Sequence, residues 1–307
     1  MLDTIRKQAS YQACLDSIKV GQQPATMGLI RSACLPVAAA LCQDLKVPVL
    51  LLTDRSDRAM VMYDELHFWL PDNPRIFFPE PTPMFYEKAT WGSLTRRDRL
   101  QALSTLVQYF RPGSQKPSQP CFVVAPLRAV MTRTMPRRDF ILAIRTIRLN
   151  EQIDPESLQR EWLRLGYENV EVVIDHGQFS RRGGILDIWT PSDAFPTRIE
   201  FFGNEVDTLR SFDPATQRTV GTLERLQFTP AREFIQSEKV FETHAGDEPD
   251  EFYLPWFHPG ATTILDYLPA DALILIDRLS NIQSFGEEIE EQALKNRSDS
   301  IREGVIP

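Results

Sequence analysis

The sequence predicts an α/β protein in which a parallel-sheet domain is assembled from two segments of chain, with a small α+β domain inserted between them. Three observations carry this. Residues 1–140 alternate short apolar runs with helix-period segments, the pattern of buried parallel strands joined by helices. From about Arg145 closely spaced strand-like runs replace that pattern. The last third returns to one apolar run and two helical stretches, too little to bury a core of its own, so it is expected to complete the first sheet. The expected boundaries are 1–143, 144–230 and 231–307.

Each element has its own warrant. The chain opens on a helical segment to about Val20. Pro48 to Thr53 (PVLLLT) is a buried-type strand, and Asp57 to Leu70 places apolar residues at helical spacing. Arg75 to Phe78 and Cys121 to Ala125 (CFVVA) are further strands around a helix from Ser93 to Phe110. Arg111 to Pro120 (RPGSQKPSQP) is expected as exposed loop, and Leu127 to Met135 as helix. In the middle region Ile147 to Leu149 leads to Asp154, which can cap a helix Pro155 to Gly166 with proline in its first turn. Strands are then expected at Val170–Ile174, Gly184–Trp189, Arg198–Phe202, Val206–Phe212 and Arg225–Thr229. Finally, Thr262 to Leu268 reads as helix, Ala272 to Asp277 (ALILID) as buried strand, and Asn281 to Arg297 as acidic amphipathic helix.

Composition narrows the function classes. At 307 residues the chain exceeds one typical core of about 100–150 residues. Its 34 basic against 42 acidic residues give no overall electrostatic footprint for nucleic acid. No run approaches the ~20 apolar residues of a membrane span, and MLDTIRKQASYQACL is too polar for a secretory segment, so a cytoplasmic protein is expected. Cys14, Cys34, Cys42 and Cys121 show no CxxC spacing and the four histidines are scattered, so reduced, mostly buried thiols and no metal are expected.

Catalytic motifs are missing. No GxxxxGK[ST] run occurs; the nearest stretch, Gly28 to Leu35 (GLIRSACL), has Ala33, Cys34 and Leu35 where Gly, Lys and Ser/Thr would hold phosphate and magnesium. No GxSxG or HExxH is present either. The carboxylates Asp187, Asp193, Glu200, Glu205, Asp207 and Asp213 read as a solvated strand face that guards against edge pairing.

One stretch asks for more. In Phe179 to Asp213 an Arg181-Arg182-Gly183-Gly184 turn separates apolar runs. Period-2 counting places Arg198, Glu200 and Phe202 on one face and Thr197, Ile199 and Phe201 on the other. If Ile199 and Phe201 fill the core, Phe202 is a bare aromatic on the arginine side, a composition favoured at protein-binding hot spots. Packing of Phe202 under a neighbouring element is the equal alternative. The paired glycines permit a bulge or a close backbone approach.

"RRGGILDIWTPSDAFPTRIEFFGNEVDTLRSFDPATQRT" closely resembles the signature shared by the bacterial transcription-repair coupling factors and the excision-repair helicase UvrB. The likeness extends through Pro79 to Leu106, Leu149 to Gly177 with its His176-Gly177 pair, and Gly260 to Asp277. The lysine-less Gly28–Leu35 stretch is similar to the degraded P-loop of the coupling-factor branch. The resemblance implies an incomplete helicase-like, P-loop-derived parallel-sheet domain in two segments with the α+β insert. It implies no catalysis and no cofactor in this part of the chain, with recruitment of UvrA by mimicry of the UvrA-binding face of UvrB. Carried over by motif position, the UvrA contacts are Arg182, Arg198 and Phe202; the carboxylates lying between them in sequence, Asp187 and Glu200, then become candidates for holding the arginines in place. Polymerase-binding and DNA-translocating domains are implied further along a longer chain, so that RNA polymerase and DNA would be partners of those parts. The competing implication is a UvrB-like, ATP-dependent damage-verification module.

Overall fold

The structure, a computed structural model, describes residues 2–21, 26–111, 117–235 and 250–306. Residues 112–116 of the expected loop 111–120 lie outside them. The chain divides into two compact units, one of residues 1–80, 108–132 and 268–295, the other of 81–107, 133–267 and 296–307. The second takes in more of the chain than 144–230.

The first unit is built on β1 (Val49–Thr53), β2 (Arg75–Phe77), β3 (Phe122–Pro126) and β12 (Leu273–Ile276). All pairings are parallel, in the order β12-β1-β3-β2. The returning segment therefore supplies a strand beside β1, with Leu50 lying between Ile274 and Val123. Central strands covered on both faces read as continuous apolar runs, and Val49, Leu50, Phe122, Val123 and Val124 are all fully buried. The helix Arg31–Leu45 is apolar around its circumference from Leu35 to Cys42 because it is itself covered: Leu35, Ala38, Ala39 and Cys42 pack with the β1 and β3 side chains, whereas Val37, Ala40 and Leu41 meet Tyr11 and Leu15. Residues 26–30 form no strand, and Gly28, at φ +60°, leads directly into this helix, so Ala33, Cys34 and Leu35 lie in its first turns. Arg58 donates to Asp277 at 2.9 Å, tying the helix Ser56–Trp69 to the end of β12.

The second unit holds β4 (Arg145–Arg148) paired antiparallel with β11 (Arg225–Phe228) and a six-stranded sheet. The six are β5 (Glu168–Asn169), β6 (Gln178–Arg182), β7 (Ile185–Ile188), β8 (Thr197–Phe202), β9 (Glu205–Phe212) and β10 (Thr219–Thr222), in the order β10-β9-β8-β7-β6-β5. Only β5–β6 is parallel among their pairings. One face of the sheet carries the core: Phe179, Leu186, Ile188, Ile199 and Leu209 pack with Leu158 and Trp162 of the helix Pro155–Arg164. The Trp162 ring meets Phe179 edge-on at 5.4 Å and Phe228 at 6.0 Å. Asp154 caps this helix as expected, accepting from the backbone amides of Glu156 and Ser157.

Three expected elements differ. Val170–Ile174 is not a strand: the ladder is confined to Glu168–Asn169, and the Gln178 side chain accepts from the amides of Ile174 and Asp175, curling the segment outward with Ile174 exposed. Thr262–Leu268 is a 3-10 turn, Ile264–Tyr267, shaped by Asp266 accepting from the Thr263 amide. The helix expected to reach Met135 stops at Met131, where Thr132 turns to extended backbone. Cys42 and Cys121 are buried, but Cys14 and Cys34 are only partly covered, which corrects the expectation that most of the thiols are buried.

Candidate docking face of the antiparallel sheet

The face of the six-stranded sheet turned from the core is where the sequence-derived residues gather. β6 and β7 are joined through Gly183-Gly184, with Arg182 opposite Ile185. Gly183 takes φ +61°, which a two-residue hairpin requires and glycine provides without strain. At Gly184 a Cβ would lie 3.2 Å from the carbonyl oxygen of Phe201, so this glycine marks the close backbone approach expected from the sequence. The ladder then sets Asp187 between Ser180 on β6 and Arg198 on β8. Arg182 is diagonal to Asp187 across the β6–β7 pair, within reach of a long side chain.

Asp187 joins the two arginines. Its Oδ1 accepts from Arg198 Nε at 2.7 Å and its Oδ2 from Arg198 Nη2 at 2.8 Å, a bidentate fork, and Oδ2 also accepts from Arg182 Nη2 at 3.1 Å. The carboxylate side chain is only 1% exposed, against 22% for Arg198 and 53% for Arg182. Burial opposes charge on Arg198, yet its pKa is raised, because the hydrogen bond to Asp187 outweighs the desolvation. The Arg198 guanidinium also lies 4.5 Å over the Phe212 ring and donates to Gln217 Oε1 at 3.0 Å.

Phe202 stands at the hairpin end of β8, paired with Glu205 and 82% exposed. Ile199 and Phe201 do turn to the core, so the alternation read from the sequence holds along β8. The irregularity between Glu200 and Phe201 falls on β9, where the partner jumps from Thr208 to Val206. From Arg198 to Phe202 is four residues of strand, about 13 Å. The two arginines thus form one cluster, and Phe202 is a separate apolar post on the same side.

Glu200 does not hold the two arginines: it pairs with Arg210 at 3.5 Å, diagonal to it across the β8–β9 ladder, where Glu200 itself faces Thr208. Arg181, next to the site in sequence, points to the opposite face and approaches Glu156 at 3.8 Å. Gln217 and Phe212 went unrecognised as parts of the site. Both belong to the quoted motif, but Phe212 reaches Arg198 as its diagonal neighbour across the β8–β9 pair, and Gln217 only through the return of the β9–β10 turn. Among the described residues no group of His, Cys, Asp and Glu could hold a metal ion, and no helix is long and apolar enough to cross a membrane.

Residues 146–234, which contain this whole face, match the family described as the UvrB interaction domain. Across almost its full length (98%) the chain is 24% identical to the transcription-repair-coupling factor of Bacillus subtilis, of which it covers 28%. It is 30% identical over 75% of its length to that of Myxococcus xanthus, covering 19% of it, and 25% identical over 76% of its length to that of Escherichia coli K12, covering 20%. The chain spans about a quarter of the length of these curated relatives. With the resemblance now carried by both the matched domain and the similarity along the whole chain, the chain corresponds to the N-terminal UvrB-homology module of the transcription-repair-coupling factors.

Proposed function

We propose that this chain is a non-catalytic adaptor of transcription-coupled nucleotide excision repair, recruiting UvrA with a face that mimics the UvrA-binding face of UvrB. The observation that carries the reading is the arginine pair on one buried carboxylate, beside a bare phenylalanine, inside the matched interaction domain. Arg182 and Arg198 present cationic forks to partner carboxylates, and Phe202 supplies an apolar anchor. In this reading residues 144–230 form the inserted docking domain. The parallel-sheet part is a helicase-like fold whose P-loop, Gly28 to Leu35, has lost its phosphate ligands. RNA polymerase binding and DNA translocation belong to other parts of a longer, cytoplasmic protein.

The test is co-elution with UvrA. Arg182→Glu and Arg198→Glu are each expected to abolish it; the exposed Arg182→Glu should keep a melting curve close to that of the unaltered chain, whereas Arg198→Glu sets a second carboxylate against the buried Asp187 and should lower it. Retained co-elution in both would remove the site assignment. A nucleotide titration separates this reading from an ATP-dependent, UvrB-like module: saturable ATP binding would favour the latter.

A further inference from the structure

The turn between β9 and β10, Asp213-Pro214-Ala215-Thr216-Gln217-Arg218, is more elaborate than a link between two strands requires. Asp213 Oδ1 accepts from the amides of Ala215 and Thr216 at 2.9 and 2.8 Å, and those bonds hold its carboxyl below the usual range. The Gln217 amide donates to the Asp213 carbonyl at 2.7 Å, and the Asp213 amide to the Arg218 carbonyl at 2.9 Å. Gln217 itself sits at φ +60°, a left-handed conformation uncommon outside glycine and asparagine. Its side chain is fixed from both ends: Nε2 donates to the Pro214 carbonyl at 2.9 Å, and this amide orientation directs Oε1 to Arg198 Nη2 at 3.0 Å. The turn therefore delivers one acceptor to one arginine.

Counting donors shows what that leaves. Arg198 spends Nε on Asp187 and Nη2 on Asp187 and Gln217, and Arg182 spends Nη2 on Asp187. Among the described residues nothing is bonded to Arg198 Nη1 or to Arg182 Nε and Nη1. Two guanidinium cations share one carboxylate, so the cluster keeps an excess positive charge with oriented, unused donors. That is the complement of a carboxylate.

We infer that Asp187 and Gln217 are the positioning residues of the docking face, locking Arg198 beside Arg182 as a prebuilt two-arginine receptor for an acidic side chain of UvrA. The inference rests on the docking reading above. Asp187 sets the separation of the arginines, and Gln217 stops the Arg198 guanidinium from rotating about its stem, so the ordering entropy is removed before the partner arrives.

The deciding variant is Gln217→Ala, since Asp187→Asn leaves two arginines without their counter-charge and can fail to fold. Affinity for purified UvrA is measured for the unaltered chain, Gln217→Ala, Arg198→Ala and the double variant, with melting curves on each. Gln217→Ala is expected to weaken binding about tenfold, the scale of one hydrogen bond to a charged group, with its melting curve unchanged. In the Arg198→Ala background the same substitution should have no further effect, because its influence passes through that arginine. The Arg198 Nε–H signal in a 15N spectrum should be resolved in the unaltered chain and broadened in Gln217→Ala. If Gln217→Ala binds UvrA as tightly as the unaltered chain while Arg198→Glu does not bind, the positioning role is wrong and the docking face stands. If Gln217→Ala still weakens binding when Arg198 is alanine, the glutamine does not act through the arginine and the inference is overturned. Should the charge reversals at Arg182 and Arg198 leave UvrA binding intact, the docking reading falls and takes this inference with it.

Discussion

The two sheets of this molecule solve the burial problem differently, and the difference determines which of them can carry a partner-binding face. In the parallel sheet Val49, Leu50 and Leu51 of β1 are all buried, as are all five residues of β3. Both faces of these two central strands are spent on packing. In the antiparallel sheet only alternate residues go inward: Ile199 is fully buried, and its neighbours Arg198 and Glu200 are partly open to solvent. That leaves a whole face free for charge, and Asp187 can be buried there because two arginines lie over it.

The sharpest way to break this comparison is through the charge that the second unit does bury deeply. Arg99 and Glu233 are both essentially inaccessible, with Arg99 Nη2 donating to Glu233 Oε2 at 3.0 Å. Arg99→Ala strands an uncompensated carboxylate and is expected to cost about 3–5 kcal/mol in a denaturant titration, more than truncation of the exposed Arg182 or Phe202 on the antiparallel sheet. Next come the strand interiors. Leu50→Ala and Leu51→Ala, adjacent residues on β1, should both cost about 2–5 kcal/mol, because neither faces solvent. Along β8 the same test should alternate: Ile199→Ala in that range, Glu200→Ala within about 0.5 kcal/mol. Equal costs at Ile199 and Glu200 would contradict the one-sided burial. Smaller still is Phe202→Ala, expected to change stability by no more than about 0.5 kcal/mol while weakening UvrA binding by about 2 kcal/mol, seen as an affinity loss with an unshifted melt.

A last contrast concerns thiols in the parallel-sheet unit. Burial pushes the Cys42 thiol up to about 12 and the Cys121 thiol up to about 11, from an ordinary value of 9.0. Both should resist iodoacetamide at pH 8 under native conditions, while the partly covered Cys14 and Cys34 are slowly modified, as mass spectrometry of the labelled peptides would report. The linkage runs the same way: an unfolded thiol ionises first, so these two groups support the fold below pH 9 and that support is lost as pH rises through 11 to 12.

The elements that were legible in the sequence are those whose burial is local. PVLLLT and CFVVA announce buried parallel strands because nearly every position is apolar; ALILID also forms a parallel strand, but as the sheet-edge β12 it is not the buried strand expected, with Ile274 and Ile276 about half exposed. β6, Gln178–Arg182, does not announce itself: Phe179 is its one apolar residue, and its register comes from the Gly183 turn and from pairing with β7. The β-branched run Val170–Ile174 mimics a strand, yet past Asn169 it has no ladder partner: Val173 is buried while Val172 and Ile174 are exposed. On the outer side of the antiparallel sheet the alternation put Phe202 and Arg198 on one face, as β8 has them, and Asp187 followed from being across the ladder. Glu200 was misassigned because its nearest cation, Arg210, lies on a different strand. Gln217 was invisible because its position depends on a left-handed turn that no periodicity encodes.

The segment after β11 carries a practical lesson about where the matched domain ends. Tyr167 donates to the Thr229 carbonyl at 2.7 Å and the Ala231 amide to Leu165, so the chain to this point is stitched to the sheet. Immediately beyond, Glu233 and Phe234 turn to other partners, Arg99 for the first and Trp91 and Leu254 for the second. A fragment cut at the matched boundary of 234 would therefore carry a sticky end, one buried-type acid and one bare aromatic ring, and self-association of such a fragment would reflect the cut and not the native surface.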